Sequence, residues 1–130
     1  MDYKKSLEEL EKLLSELQEK NKSIPIIVEG DKDVTALRKL DLRGIILCAN
    51  TGKSLVDFCD RIAEKYRDVI ILTDWDWRGG RLCSTIKKNL EGRVNCDIKY
   101  RELFARHAMI RTVEGLPSWI ETIKKKLNLI

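Results

Sequence analysis

The sequence predicts an α/β fold: a mainly parallel sheet of about four strands with helices on both faces. Short runs of apolar and β-branched residues alternate along the chain with segments of helical periodicity. Two of these runs end in acidic residues, and glycine follows one position after Glu29 and three positions after Asp76. Because helical crossovers cover both faces of a parallel sheet, its strands are expected to be continuous apolar runs, as these are.

The central strands and helices follow from these two patterns. The predicted strands are residues 24 to 29, 44 to 48, 69 to 73 and 95 to 99, each flanked by Gly, Asp or Asn. Helices are predicted over residues 34 to 40, over residues 53 to 66, and between Gly80 and Gly92.

Each end of the chain adds a predicted helix, over residues 1 to 22 and residues 116 to 130. The N-terminal helix carries a stripe of leucines: Leu7, Leu10, Leu14 and Leu17. We expect this stripe to pack against the sheet of its own chain, with a short coiled-coil seam between the subunits of a homodimer as the alternative. The C-terminal stripe, which follows Pro117, is expected to join the core.

Length and composition predict one compact domain over residues 1 to 130. No apolar stretch of about 18 residues is present, and the N-terminal residues lack a secretory pattern, so we expect a cytoplasmic protein without a membrane partner. The four cysteines are widely spaced in the sequence. The chain has one histidine, His107, that could complete a metal site with them, and we expect it to be structural. Reduced thiols are therefore favoured over a zinc site.

The strongest functional signal is a set of carboxylates at two predicted strand ends. Asp74 and Asp76 follow one strand at an i, i+2 spacing, and Glu29 follows another. Parallel strands open their carboxyl ends on one edge, so the three side chains are expected to converge there. Clustered carboxylates repel one another unless a cation lies between them, and oxygen-rich sites suit Mg²⁺ or Mn²⁺. A polar turn after a buried strand is the alternative.

These residues resemble the Toprim domain of topoisomerases, bacterial-type primases, OLD-family nucleases and the ribonuclease that matures small ribosomal RNA. The signatures are Val28-Glu29-Gly30 and Asp74-Trp75-Asp76-Trp77-Arg78-Gly79. The resemblance covers roughly residues 24 to 115, which would be the Toprim core, and the chain is most similar to small stand-alone archaeal Toprim proteins. The resemblance implies a Rossmann-like fold and Mg²⁺-dependent phosphodiester chemistry, with nuclease-like cleavage of RNA or DNA. Asp74 and Asp76 would hold the metal ion, and Glu29 would be a further ligand or the general acid/base.

Basic residues near the acids predict contacts with nucleic-acid phosphates. Nine Lys or Arg against three acids occur from Arg78 to Arg111. Thr51 to Ser54 resemble the end of a phosphate-binding P-loop, but Leu47 stands where that motif requires glycine. The predicted phosphate-binding residues are Gly30, Lys32, Lys53, Arg78, Gly79 and Arg81.

Two tryptophans alternate with the aspartates in the sequence. Trp75 and Trp77 are expected to point away from the acids and pack in the core, with base stacking as the alternative.

A non-catalytic, metal-dependent module that binds nucleic acid or a ribonucleoprotein is the main rival to an enzyme. A protein that binds a small phosphate ligand is a third interpretation.

Overall fold

The computed structural model describes residues 2–130, which form four strands and six helices. Met1, the first residue of the predicted N-terminal segment, lies outside the described residues. In chain order the elements are α1 (Tyr3–Asn21), β1 (Ile26–Val28), α2 (Asp31–Lys39), β2 (Ile46–Cys48), α3 (Leu55–Lys65), β3 (Asp68–Ile71), α4 (Trp77–Leu90), β4 (Asn95–Asp97), α5 (Lys99–His107) and α6 (Leu116–Lys126).

The strands form one all-parallel sheet in the order β2-β1-β3-β4, which confirms the predicted fold class. Ile26 of β1 pairs with Ile46 on one side and with Ile70 on the other. The chain steps from β1 outward to β2 and then returns to place β3 on the opposite side of β1. Strand order therefore reverses between β1 and β3, and open α/β sheets bind ligands at the carboxyl ends of strands at such a switch point.

Alternating side chains of the central strands serve two separate helical layers. Ile26 and Val28 of β1 face one hydrophobic cluster, which includes residues of α1, α2, α5 and α6. Ile27, between them, faces a second cluster formed with α3 and α4. Because successive side chains of a strand point to opposite faces, continuous apolar strands are what this double-sided burial requires.

The leucine stripe of α1 is buried inside its own chain. Leu10 and Leu17 are fully buried, and α1 packs against α5 and α6 in the first cluster. The Tyr100 hydroxyl of α5 also donates a hydrogen bond of 2.8 Å to Glu16 of α1. The stripe is thus occupied by intramolecular packing, as expected, and little of it is left for a coiled-coil seam.

Two helices differ from the sequence-based expectation. Helix α4 begins at Trp77, before both glycines of the Asp74–Gly80 segment, because Asp76 caps its first turn. Helix α5 had no separate prediction; its buried residues Tyr100 and Phe104 are too few to produce a clear stripe. None of the helices in residues 2–130 combines the length and apolar character needed to span a membrane.

Candidate metal centre

Glu29 and Asp74 lie at the switch point between the two central strands. Backbone pairing continues past the strands, because Leu72 donates to the Ile27 carbonyl at 2.8 Å and Asn50 donates to the Glu29 carbonyl at 2.9 Å. The two acids therefore follow adjacent strands at the carboxyl edge, as the sequence predicts. A cavity of about 710 Å³ opens there, and it is lined by Glu29, Gly30, Asp31, Lys32, Asp33, Ala49, Asn50, Lys53, Leu55, Asp74, Arg78, Leu82 and Glu114.

The electrostatics of Glu29 are those of a carboxylate crowded by like charges. Its side chain is partly buried, and this desolvation is the main cause that raises its pKa above the ordinary value. Repulsion from Asp74, Asp33 and Asp76 raises the pKa further. A divalent cation at this edge would relieve the repulsion between the carboxylates. Without a cation, protonation of a carboxylate relieves it.

Asp74 is held by contacts from two distant segments. Its Oδ1 accepts a hydrogen bond of 2.8 Å from the backbone N–H of Val113. The guanidinium of Arg101 donates to the Asp74 main-chain carbonyl at 2.9 Å. Burial raises the pKa of Asp74, the Val113 hydrogen bond lowers it, and nearby acids raise it again. One carboxylate oxygen thus fixes the orientation of the side chain, and within residues 2–130 no backbone N–H donates to Oδ2.

Asp76 has a structural role in addition to its predicted one. It is the N-cap of α4, and its Oδ1 accepts a hydrogen bond of 2.7 Å from the Gly79 N–H. Its charge acts on Glu29 and on Asp74, although Asp76 stands beside the cavity wall and not in it. Its carboxylate therefore caps the helix through one oxygen and keeps Oδ2 as a possible ligand atom.

Two further acids, Asp33 and Glu114, lie close enough to Glu29 or Asp74 to repel them. Asp33 is only 8% exposed, accepts a hydrogen bond of 3.1 Å from the Gly30 N–H, and has a pKa raised by burial. Glu114 lies on the cavity wall and repels both Asp33 and Asp74. The short distance of Asp33 from Glu29 in sequence was a usable signal. Glu114 gave none, because the loop before α6 brings it to the site.

The predicted phosphate-binding residues fall into two groups. Four of them line the cavity: Gly30, Lys32, Lys53 and Arg78. Gly79 is buried, its N–H donates to Asp76, and its carbonyl accepts from the Thr73 hydroxyl at 2.7 Å. Arg81 lies outside the cavity, against the ring of Trp77. The backbone hydrogen bonds of Gly79 thus stabilise the loop, whereas the four residues that line the cavity face the space above the acids.

The two tryptophans of the acidic loop behave differently. Trp75 packs as expected: its ring stacks on Phe104 at a centroid distance of 5.8 Å, and its Nε1 donates to the Ile110 carbonyl. The core prediction is wrong for Trp77, whose side chain is 74% exposed. Strand alternation does not apply to Trp77 because it is the first residue of α4.

Gly79→Ala should destabilise the protein by about 3 kcal/mol or more, since a Cβ at this position would overlap the backbone of Asp74. Gly80→Ala is the matched control, because its Cβ would meet only the tip of the Arg101 side chain at 3.4 Å and alanine favours a helix. Urea unfolding of both variants measures the difference. Equal stability of the two variants would contradict the close approach at Gly79.

The residues of this edge fit an oxygen-preferring divalent ion. Within residues 2–130, no three Asp, Glu, His or Cys side chains are arranged to hold an ion together directly. Mg²⁺ does not need such a cage, because it keeps several waters and is bound through one or two carboxylates together with substrate phosphates. The partly buried, mutually repelling carboxylates of Glu29 and Asp74 supply oxygen donors of the kind that such an ion prefers.

Sequence comparison places this geometry in a family. The model of the Toprim domain matches residues 24–105, which contain the whole sheet, Glu29 and both aspartates. The chain belongs to the Toprim family. Toprim domains generally bind Mg²⁺, and this membership supports a metal-dependent role related to nucleic acid. Glu114 lies beyond the matched region.

Relatives of this Toprim protein include UPF0292 proteins of archaea, as the sequence led us to expect. A UPF0292 protein of Thermoplasma volcanium is 41% identical over 90% of this chain and 100% of its own length. One from Methanosarcina barkeri is 34% identical over 95% of this chain and 89% of its own. A solved structure, a putative protein from Aquifex aeolicus, superposes with a TM-score of 0.70 at 26% identity, covering 80% of this chain and 94% of its own.

Proposed function

We propose that this Toprim protein cleaves phosphodiester bonds of RNA or DNA with the help of Mg²⁺ or Mn²⁺. One observation carries the proposal: Glu29 and Asp74, whose pKa values burial raises, stand together at the switch point of the sheet. Lysine and arginine side chains line the same cavity. This combination suits a site in which a metal ion and a phosphate group meet.

The proposed roles of the acids follow from their surroundings. Asp74 and Asp76 would hold the metal ion, which supplies charge neutralisation and polarisation of a phosphoryl oxygen when bound. Each aspartate is oriented by a backbone N–H, from Val113 and from Gly79 respectively. Glu29 would be a further ligand or the general acid/base, and a raised pKa brings a carboxylate closer to the range useful for proton transfer at neutral pH.

Substrate phosphates would be bound by the basic residues of the cavity wall. Lys32, Lys53 and Arg78 surround the acids from three elements of the chain: α2, the loop before α3, and α4. Part of the basic segment after Arg78 is already used, because the guanidinium of Arg101 binds backbone carbonyls and Lys99 pairs with Glu16 at 3.5 Å. The phosphate contacts therefore concentrate at the cavity and on the exposed side of α4.

The test is incubation of the purified protein with end-labelled single- and double-stranded RNA and DNA, in Mg²⁺, Mn²⁺ or EDTA. We expect products with at least one nucleic acid in the presence of a divalent ion and none in EDTA. Metal binding without cleavage of any of these nucleic acids would refute the proposed cleavage activity.

A non-catalytic binding module is the second candidate function. It is supported by the basic residues of the cavity wall, since Lys32, Lys53 and Arg78 can bind a phosphate whether or not a bond is cleaved. Such a module would use a divalent ion as a bridge between Asp74 and a phosphate of nucleic acid or of a ribonucleoprotein. It predicts nucleic-acid binding that EDTA weakens, with the substrate recovered intact.

Binding to nucleic acid should weaken steeply as salt increases, because each neutralised phosphate releases counterions. Arg78→Gln should lower the slope of log affinity against log salt by about one unit, for one lost phosphate contact. Arg43→Gln is the control, since Arg43 is exposed before β2 at the opposite edge of the sheet. Anisotropy titrations at several salt concentrations measure the slope, and an affinity independent of salt would instead indicate a small phosphate ligand.

A further inference from the structure

Trp77 is an exposed aromatic side chain directly beside the acidic edge. It is 74% exposed, the largest exposed fraction among the large hydrophobic residues found on the surface of the described chain. Single exposed apolar side chains are common on protein surfaces, so what matters here is the position of this ring and its size, because burial of an indole is strongly favourable. Trp77 directly follows Asp76, so its Cα lies about 3.8 Å from that of a proposed metal ligand.

The surroundings of Trp77 match a nucleotide. The guanidinium carbon of Arg81 lies 4.9 Å from the centroid of the Trp77 ring, so one face is covered and the exposed area lies on the other face and the edges. A depression of about 410 Å³ adjoins the ring and is lined by small or polar residues: Gly80, Ser84 and Thr85, besides Trp77 and Arg81. Small side chains allow a flat group to approach the helix closely.

The charge of α4 indicates which kind of flat group would bind beside Trp77. The helix carries four basic residues and no acidic one between Trp77 and Leu90. Arg78 points into the cavity with the acids, whereas Arg81 lies on the side of Trp77. A flat aromatic group attached to a chain of phosphates satisfies both the ring and the charges. An apolar peptide or a lipid chain would satisfy only the ring.

We propose that Trp77 and Arg81 form a stacking platform for an unpaired base of the nucleic-acid strand whose phosphate lies at the acidic edge. This inference rests on the proposed nucleic-acid function and adds a substrate preference to it. In a duplex both faces of a base are already stacked, so the platform favours single-stranded segments. Stacking is tolerant of base identity, because every base has a π-face.

The test compares an oligonucleotide with an abasic strand of the same length and phosphate number, by anisotropy in Mg²⁺, with strand integrity checked after each titration. Trp77→Ala should bind the oligonucleotide about 10-fold more weakly than the wild type, while both bind the abasic strand equally. Trp77→Phe should recover most of the affinity. Ile45→Ala, an exposed apolar residue at the opposite edge, should change nothing.

A second readout needs no loss of affinity. Base stacking should quench the fluorescence of the wild type, because Trp77 is the exposed tryptophan, and Trp77→Phe should lose this quenching while it still binds. The wild type should also prefer the oligonucleotide over the abasic strand, which tests the inference even if Trp77→Ala does not fold.

The outcomes separate the two proposals. If the wild type binds the oligonucleotide and Trp77→Ala binds it equally well, the platform is refuted and the nucleic-acid function stands. Equal losses for the oligonucleotide and the abasic strand would also refute the platform, since Trp77 would then act without touching a base. If the wild type binds neither strand even at low salt, both proposals fall.

Discussion

Glu29→Gln is expected to slow cleavage about 10²- to 10⁴-fold while much of the affinity for Mn²⁺ remains. Glutamine keeps the shape of the side chain and removes the group that takes up and releases a proton. Because Glu29 follows β1 whereas the aspartates follow β3, its loss leaves the loop that carries them intact. Single-turnover cleavage and calorimetric titration with Mn²⁺, on the same preparation, measure the two quantities.

Glu64→Gln, an exposed position on α3, is the control for this prediction and should retain both properties. If Glu29 is chiefly a metal ligand, rate and metal affinity will fall together, and higher Mn²⁺ will restore part of the rate. A change of two- or threefold in rate, with unchanged metal affinity, would show that Glu29 has neither role.

The double substitution Asp74→Asn and Asp76→Asn should abolish Mn²⁺ binding without unfolding the protein. Asparagine keeps the oxygen that accepts from the Val113 N–H, and it is about as good an N-cap as aspartate. What disappears is the negative charge that a divalent ion requires. Calorimetric titration measures the loss, and unchanged affinity would place the metal ion elsewhere.

Asp41→Asn is the control, because Asp41 is exposed, remote from the acidic edge, and has a φ of 62° that asparagine adopts readily. It should bind Mn²⁺ as the wild type does.

The same double variant should show how the clustered charges affect stability. In EDTA, burial and mutual repulsion hold the pKa values of Glu29, Asp33 and Asp74 above their ordinary values. The folded state then binds more protons than the unfolded state, so these groups reduce stability as pH rises above about 4. As pH is raised from acidic to neutral, the thermal midpoint of the double variant should therefore rise relative to that of the wild type.

The sheet and its acidic edge could be predicted because both depend on local sequence. Ile26 to Val28 form a continuous apolar run, and a strand buried on both faces requires such a run. The acids that follow two such strands must then open on one edge. The predicted convergence of Glu29 with Asp74 required only that β1 and β3 be neighbours.

Other parts of the site depend on contacts between distant segments and left no local signal. Glu114 reaches the acids because the Trp75 N–H binds the Arg111 carbonyl at 2.9 Å and fixes the loop that precedes it. The exposure of Trp77 depends on where α4 begins, and the Asp76 cap starts the helix earlier than glycine placement suggests. Strand-like alternation with the aspartates predicts instead that Trp77 points away from them and into the core.

The most direct test of the proposed metal centre is one cleavage time course, with a susceptible nucleic acid and Mn²⁺, for the wild type, Glu29→Gln and the double asparagine variant. We expect the wild type to form product, both variants to lose most of that activity, and EDTA to stop all of it. Product formed equally by the double asparagine variant would contradict a metal centre at Asp74 and Asp76.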